Sequence, residues 1–422
     1  IAEVVEYCRH DVEQTMEVFI NNKAEFESHY QLLKAFDLPL EYINKTKAQL
    51  SAIILGASKK RHRDEFELQI PDTIVLDKYK HILEWYQNPD NLDYEKKLVV
   101  DVAGCEHIFA WGGLHGAKKK YHGKGIFINM DVASYYPSLM IEYGFGSRNM
   151  ENPDKYKEIY ETRLKLKAEK NPLQQPYKIV LNATYGAMKD RYNNLYDPRQ
   201  CNNVCIAGQL MLLDLIEKLE PVAEIIQSNT DGVLVKVFNE EAIDKVKEIG
   251  EEWSARTRMG LEYDMFTEVY QKDVNNYVII EADGSYKSKG AYVKKLSKLD
   301  YDLPIVNKAL VDYFTKGVPV QKTILDCNDL IQFQKVVKVS SKYMYALHGN
   351  VRLSERVLRV FASRSSLDEG VSKVKTLDRV EKIAGTPERC FIINDQVSGL
   401  EVPRKLDKSW YVDTAMKRLN DF

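Results

Sequence analysis

The chain has 422 residues, 44% hydrophobic and 29% charged, which is the composition of a soluble globular protein of about two to four domains and excludes disordered and collagen-like classes. Sixty Lys and Arg face sixty-two Asp and Glu, so the formal net charge of −2 excludes nucleic-acid binding by bulk positive charge and leaves such a role only to local basic stretches. With a mean hydropathy of −0.40, no run of eighteen apolar residues and no basic-then-apolar start, neither a membrane span nor a secretory leader is expected, and the reading is cytoplasmic.

In chain order, Val4, Val5, Cys8, Val12, Met16 and Phe19 follow the helical period, so residues 1 to about 35 read as helix, ended by Leu38-Pro39. The first residue is Ile and the pattern begins at once, which leads us to expect a missing N-terminal part. Residues 45–60 form a second helix candidate, followed by a polar stretch with Pro71 and Pro89. Glycines cluster from Gly104 to Gly125, which reads as a loop. From Gly125 the chain alternates like a strand up to Asp131, turns at Pro137 and restarts as helix. Residues 151–170 read as a charged helix stopped by Asn171-Pro172, and Pro176 and Gly186 bracket the next one. A buried helix over 203–219 precedes two strands joined by Asn229-Thr230-Asp231-Gly232, where Asp-Gly predicts a type I′ hairpin. Strands are expected at 277–281 and 286–293, and the chain after 300 reads as helix-leaning.

The six cysteines form no CxxC pair and read as reduced thiols. Cys201 and Cys205 share a helix face without the His or Cys partners a zinc site needs. Two stretches are basic: Lys118, Lys119, Lys120 and Lys124 around His115 and His122, and Lys287, Lys289, Lys294, Lys295 and Lys298 among Tyr286 and Tyr292. Either alone is first read as a solvated face.

Three places carry chemistry. Asp131 leaves a strand beside a turn, where a carboxylate can hold a divalent cation while nearby N–H groups hold phosphate oxygens. Asp231 sits in the hairpin turn, and two strand-end carboxylates from distant segments are what a two-metal phosphoryl-transfer site uses. Both have a plainer reading as turn formers. On the helix over 178–186, spacings of four and three align Lys178, Asn182 and Tyr185, while Arg163 and Lys167 stand four apart on the helix before it, so three cations could converge on one triphosphate.

These segments resemble a known family. Asp131-Val-Ala-Ser-Tyr-Tyr136-Pro-Ser resembles motif A of the family B DNA polymerases, Lys178-Ile-Val-Leu-Asn182-Ala-Thr-Tyr185-Gly186 resembles motif B, and Ser228-Asn-Thr-Asp231-Gly232 occupies the place of motif C, in the family's order. The resemblance is close over about 125–295, and the short spacing between motifs A and B is most similar to polymerases of tailed bacteriophages. Trp111-Gly112-Gly113 falls where the family has its template-contacting Tyr-x-Gly-Gly element, with Trp keeping a stacking face, and Tyr7 to Asp11 resembles the last exonuclease motif.

The resemblance implies an α+β right-hand fold: an exonuclease remnant over 1–35, a connecting region with the template loop over 36–124, a palm over 125–147 and 191–300, fingers over 148–190, and a thumb and C-terminal region over 301–422. It implies template-directed addition of deoxynucleoside triphosphates to a primer 3′-hydroxyl in viral DNA replication, located in the host cytoplasm. The cofactor would be two Mg²⁺ ions, with Mn²⁺ as a substitute, held by Asp131 and Asp231. Tyr136 would lie under the deoxyribose, Arg163, Lys167 and Lys178 on the triphosphate, and Asn182 and Tyr185 near the nascent base pair. Primer–template DNA would meet Trp111, Gly112, Gly113, Lys272, Tyr277 and Lys289, and a separate exonuclease part or replication accessory proteins would be further partners. Asn229 replaces the first Asp of motif C, Ala183 the Ser of motif B and Tyr135 the Leu of motif A, while the primer-strand lysine is missing beside Tyr277. Asn229 keeps open an impaired polymerase fragment acting as a DNA-binding module, and Tyr136 opposes an RNA-making enzyme. With Asp11 alone recognisable among exonuclease carboxylates, no proofreading is expected.

Overall fold

The helical period at the start of the chain becomes two helices, α1 (Ala2–Asn21) and α2 (Lys23–Ala35), interrupted at Asn22, whose φ of −109° and ψ of 15° lie outside the helical range. The molecule is described by a computed structural model over residues 2–297, 300–376 and 378–422. Lys298 therefore lies outside the described residues. The apolar positions of α1 do not face a core among the described residues: Val4, Val5, Val12 and Met16 are all more than half exposed. Periodicity predicted the helix but not its burial.

The chain forms two units, residues 1–117 with 127–264 and residues 118–126 with 265–422. In the first, α3 (Lys47–Ile54) begins at a reciprocal cap between Thr46 and Gln49 and stops before Gly56, whose φ of 60° suits glycine, so it is shorter than expected. A further helix, α4 (Lys80–Gln87), occupies the stretch read as polar turns, and its signal is the buried pair Ile82 and Tyr86, four apart.

The glycine-rich region is loop only at 111–114 and 118–120, between the strands β1 (Lys97–Val102), β2 (Cys105–Ala110), β3 (His115–Ala117) and the start of β4 (Tyr121–Val132). Val102 pairs with Cys105 across Ala103 and Gly104, whose φ values of 53° and 76° are the pair of positive angles a type I′ turn requires. Gly116 is glycine because a Cβ there would stand 2.2 Å from the ring of buried His107. Composition marked a loop where glycine serves strand packing.

Then follow α5 (Tyr135–Glu142), α6 (Asp154–Ala168), α7 (Gln174–Lys189), α8 (Pro198–Leu219), β5 (Glu224–Ser228), β6 (Gly232–Val237) and α9 (Glu240–Thr257). Helix α7 tolerates Pro176 in its first turn, where the N–H would be unpaired, and runs past Gly186 instead of ending there. The sheet of this unit has the order β1-β2-β3-β5-β6-β4. Nearly every residue of the 22-residue α8 is buried, and its polar groups are matched: Tyr135 donates to the Gly208 carbonyl (2.7 Å), Trp253 Nε1 to Met211 O (3.0 Å), and fully buried Asp214 accepts from Arg256 (2.7 Å) and the Val75 N–H (2.8 Å). Asp197, also fully buried, caps α8 and is held by Arg148 (2.7 Å), which reaches Asp64 as well (2.6 Å).

In the second unit β7 (Leu261–Asp273, from Met265 onward), β8 (Asn276–Ile280) and β9 (Tyr286–Lys289) form antiparallel hairpins. Helices α10 (Pro304–Lys316) and α11 (Val320–Asp326) come next. The region after 300 is as much sheet as helix, because β10 (Lys335–Lys338), β11 (Tyr345–His348), β12 (Val351–Leu353), β13 (Val357–Ala362), β14 (Val371–Thr376), β15 (Arg379–Lys382) and β16 (Cys390–Ile392) build a three-stranded and a four-stranded sheet before α12 (Lys408–Asn420). These strands are short and their exposed faces charged, which hid them from a reading by composition. One core joins Ile305, Leu310, Phe333, Phe361 and Tyr411, and the Tyr411 hydroxyl donates to Phe333 O (2.7 Å) while accepting from Ala362 N (3.0 Å). No helix among the described residues is long and apolar enough to cross a membrane.

Replacing Arg148 by Ala strands the buried Asp197 carboxylate and should lower the stability of the chain by about 3 kcal/mol in urea unfolding. Asp64 is held below the usual carboxylate range, chiefly by hydrogen bonds from Arg148. A lowered folded-state value contributes stability above the unfolded value of about 3.9, and that contribution is lost on acidification, so the gap between wild type and Arg148→Ala should narrow as pH falls below about 4. A gap independent of pH would remove Asp64 from this role.

Candidate functional site

Asp131 is the penultimate residue of β4, half-buried, and its Oδ2 accepts from Asn129 Nδ2 at 2.8 Å. Three residues on, Ser134 takes a left-handed φ of 50° and turns the chain into α5. Because Ser138 N is the first to bond back, to Ser134 O at 2.9 Å, and Pro137 has no N–H, the N–H groups of Tyr135 and Tyr136 stand outside the helical ladder. A left-handed turn followed by such donors is a ready anion cradle beside a carboxylate.

The opposite wall is the β5–β6 turn. Asn229 Oδ1 accepts from Asp231 N (3.1 Å) and Asn229 N donates to Gly232 O (3.0 Å). Neither Asp231 nor Gly232 has a positive φ, so the expected type I′ turn does not form, and a three-residue loop over 229–231 takes its place. Gly232 is needed for another reason: a Cβ there would lie 2.1 Å from Asp131 Oδ1 and 2.9 Å from Met130 O. The junction is closed by Val132 N donating to Asp231 O at 2.7 Å. Two carboxylates from segments a hundred residues apart therefore emerge side by side.

A cavity of about 560 Å³, wholly within the first unit, brings together Asp131, Tyr136, Arg163, Lys167, Lys178, Asn182 and Asp231, all singled out from the sequence. Arg163 on α6 is only 8% exposed; its Nη1 donates to Ser134 Oγ (2.7 Å) and its Nε has no partner among the described residues. Lys167 pairs with Glu262 (3.2 Å), whereas Lys178 on α7 is exposed and has no ion-pair partner among the described residues. Tyr185 lies behind the cavity rather than on its wall, its ring 4.5 Å from that of Tyr136 and its hydroxyl against Cys205 Sγ. Burial pushes both phenols far above their ordinary range, so they stay neutral hydrogen-bond groups. Cys201 and Cys205 are buried free thiols of α8, and no group of three or more His, Cys, Asp or Glu among the described residues could hold a metal. Asp131 and Asp231 stand as a pair of hard oxygen donors at one cavity mouth, a donor chemistry that fits Mg²⁺ with water and phosphate oxygens completing its shell.

The residues expected to meet nucleic acid fall elsewhere. Trp111 is 5% exposed, donates to Asn91 O (3.1 Å) and packs its ring among Phe66, Tyr86 and Tyr94, so its face is not offered for stacking. A buried aromatic cluster outcompeted the exposed role assigned to it. Gly112 accepts from Gln209 of α8, and Gly113 abuts the β5–β6 turn, since a Cβ there would meet Thr230 Oγ1 at 2.7 Å. Lys272, Tyr277 and Lys289 belong to the second unit, where Tyr277 is paired with both Gln271 and Lys289, and the Lys272 ammonium lies 4.6 Å from the Tyr292 ring centroid.

No protein-family model and no curated protein matches the sequence. Among solved structures, the chain is similar to the family B DNA polymerase from the hyperthermophilic archaeon Pyrobaculum calidifontis, with a TM-score of 0.52, 14% identity, and 98% of this chain and 55% of that one covered. The chain has a DNA polymerase-like fold. It spans about half the length of that polymerase, and at this identity the likeness is one of fold.

Within this polymerase-like fold, sequence reading passed over Ser134, Gln174 and Glu262, which also line the cavity. Gln174 Oε1 is buried without a partner among the described residues. It also missed His107, whose ring, kept neutral by burial, bridges Cys105 O (2.9 Å) and Ser228 Oγ (2.7 Å) just before the turn that carries Asp231. Only Gln174 had a sequence signal, standing four residues before Lys178 on the polar stripe.

If the close approach at Gly232 sets the site, Gly232→Ala should cost about 1–3 kcal/mol in thermal unfolding. Gly186→Ala, on an exposed helix position with open space for a Cβ, should be stabilising by up to about 1 kcal/mol. Equal effects of the two would sink this account of Gly232.

Proposed function

We propose that the chain is a DNA-directed DNA polymerase that adds deoxynucleotides to a primer 3′-hydroxyl, with the palm at 125–147 and 191–300 and the fingers at 148–190, and that it serves viral DNA replication of the tailed-bacteriophage type. The observation that carries this reading is the single cavity in which a carboxylate pair, three cations and an aromatic floor meet. Such a set matches one substrate, a nucleoside triphosphate, whose phosphates need positive charge and whose sugar needs a flat apolar surface.

Each side chain has a separate task. Asp131 and Asp231 would hold two Mg²⁺ ions, which when bound polarise phosphoryl oxygens and ease deprotonation of the attacking hydroxyl. Arg163, fixed by Ser134 and with its Nε unpaired among the described residues, holds one phosphate in a fixed orientation. Lys178, exposed and without an ion-pair partner among the described residues, neutralises charge that builds on the departing pyrophosphate, and Lys167 exchanges Glu262 for phosphate. Free N–H groups at Tyr135 and Tyr136 receive the oxygens nearest Asp131. Tyr136, backed by Tyr185, closes the floor under the sugar, so that a 2′-hydroxyl meets a ring it cannot displace. Asn229 acts as a turn former, accepting from Asp231 N, which keeps Asp231 in place without a second carboxylate in the loop.

Primer extension with Mg²⁺ and all four deoxynucleotides tests the reading. Asp131→Asn or Asp231→Asn should reduce extension at least about a hundredfold while leaving primer–template affinity within a few-fold, since a lost metal carboxylate weakens transition-state stabilisation rather than backbone contacts. Near-normal extension by either variant would overturn the carboxylate assignment. In competition assays Tyr136→Ala should raise ribonucleotide over deoxynucleotide incorporation at least about tenfold, and an unchanged ratio would move the sugar gate to another residue.

A further inference from the structure

A second cavity, of about 990 Å³, lies within the second unit, between the end of β13, the 387–389 loop and the start of α12. Three exposed arginines line it, Arg364, Arg389 and Arg404, and none has a carboxylate partner among the described residues. Their backbones are tied together: Ser363 N donates to Arg389 O (2.9 Å) and Arg364 N to Lys405 O (3.0 Å). Lys408 adds a fourth charge, anchored on the carbonyls of Leu325 and Cys327 at 2.7 Å each. The acidic groups on the wall are already engaged, Glu388 by Lys382 and Asp407 by the N–H of Ser409 (3.1 Å) as the cap of α12. The three exposed guanidinium groups therefore offer positive charge that no carboxylate among the described residues neutralises, and an anion can share it.

The same cavity holds an indole. Trp410 is half-buried, packed edge-on against Tyr411 with ring centroids 4.9 Å apart, and lines the cavity beside the guanidinium groups. A ligand that meets both needs supplies spaced negative charges and a planar face at once. Single-stranded nucleic acid does so, with phosphodiesters on the arginines and an unstacked base on the indole. A duplex hides its base faces, and an acidic peptide has charges without the faces.

We propose that this cavity is a binding site for single-stranded nucleic acid, separate from the triphosphate cavity. The test uses the full chain with an oligothymidylate carrying 5-iodouracil, in EDTA and without nucleotides. Irradiation should crosslink the tryptic peptide Ser409–Lys417, and unlabelled oligonucleotide should compete while blunt duplex and polyglutamate do not. In the double variant Arg364→Gln with Arg404→Gln, at exposed positions that carry no core packing, affinity should fall at least about fivefold and the slope of log affinity against log salt should shrink by about 1.4, the share of two phosphate contacts on a single strand. Crosslinks confined to other peptides, an unchanged salt slope, or equal competition by duplex or polyglutamate would each overturn the proposal. Asp131→Asn, which removes the proposed polymerase chemistry, should leave the crosslink intact; its loss there would overturn the independence of the two sites.

Discussion

One backbone hydrogen bond, from Val132 N to Asp231 O at 2.7 Å, sets the terms for the site. Beside it residue 232 carries no Cβ, which lets the two segments approach closely, and the bond ties together the segments that bring Asp131 and Asp231 to one cavity. Like charges so placed repel, and neither can be buried cheaply, so the pair belongs at an opening rather than in a core. The half-buried Asp131 and the exposed Asp231 are consistent with such an open mouth.

Beneath this junction α8 does the positioning. It is buried along almost its whole length, and two of the elements that carry cavity residues rest on it through polar contacts, α5 through Tyr135 and Gly208 and α7 through Tyr185 and Cys205, as does the Gly112 loop through Gln209. Buried hydrogen bonds of this kind cost little when paired and much when broken, so they hold each segment in one orientation. The cavity walls are in this sense built from the inside outward.

The cations follow a different rule. Arg163 is buried and oriented by a hydroxyl, Lys167 is paired at the surface and Lys178 is exposed, a gradient from fixed to mobile charge across one cavity. A rigid guanidinium defines where an anion sits, and flexible ammonium groups adapt as its charge moves. In the basic cavity of the second unit the two carboxylates have structural partners, Glu388 in Lys382 and Asp407 in the Ser409 N–H at the start of α12.

The sequence alone determined the helices of strong period, the strand that carries Asp131 near its end, and the polar stripe of Lys178 and Asn182, since spacing along one element depends on local geometry. It also singled out Asp131 and Asp231, though with the wrong turn type. Tertiary structure decided the rest. Whether Trp111 faces solvent or an aromatic cluster, whether the apolar face of α1 is covered, whether Gly116 and Gly232 serve turns or close packing, and whether the region after residue 300 forms sheets all depend on what approaches from distant segments. Periodicity records which face of an element is apolar, but burial and close approach are pair properties, fixed only when the second partner arrives.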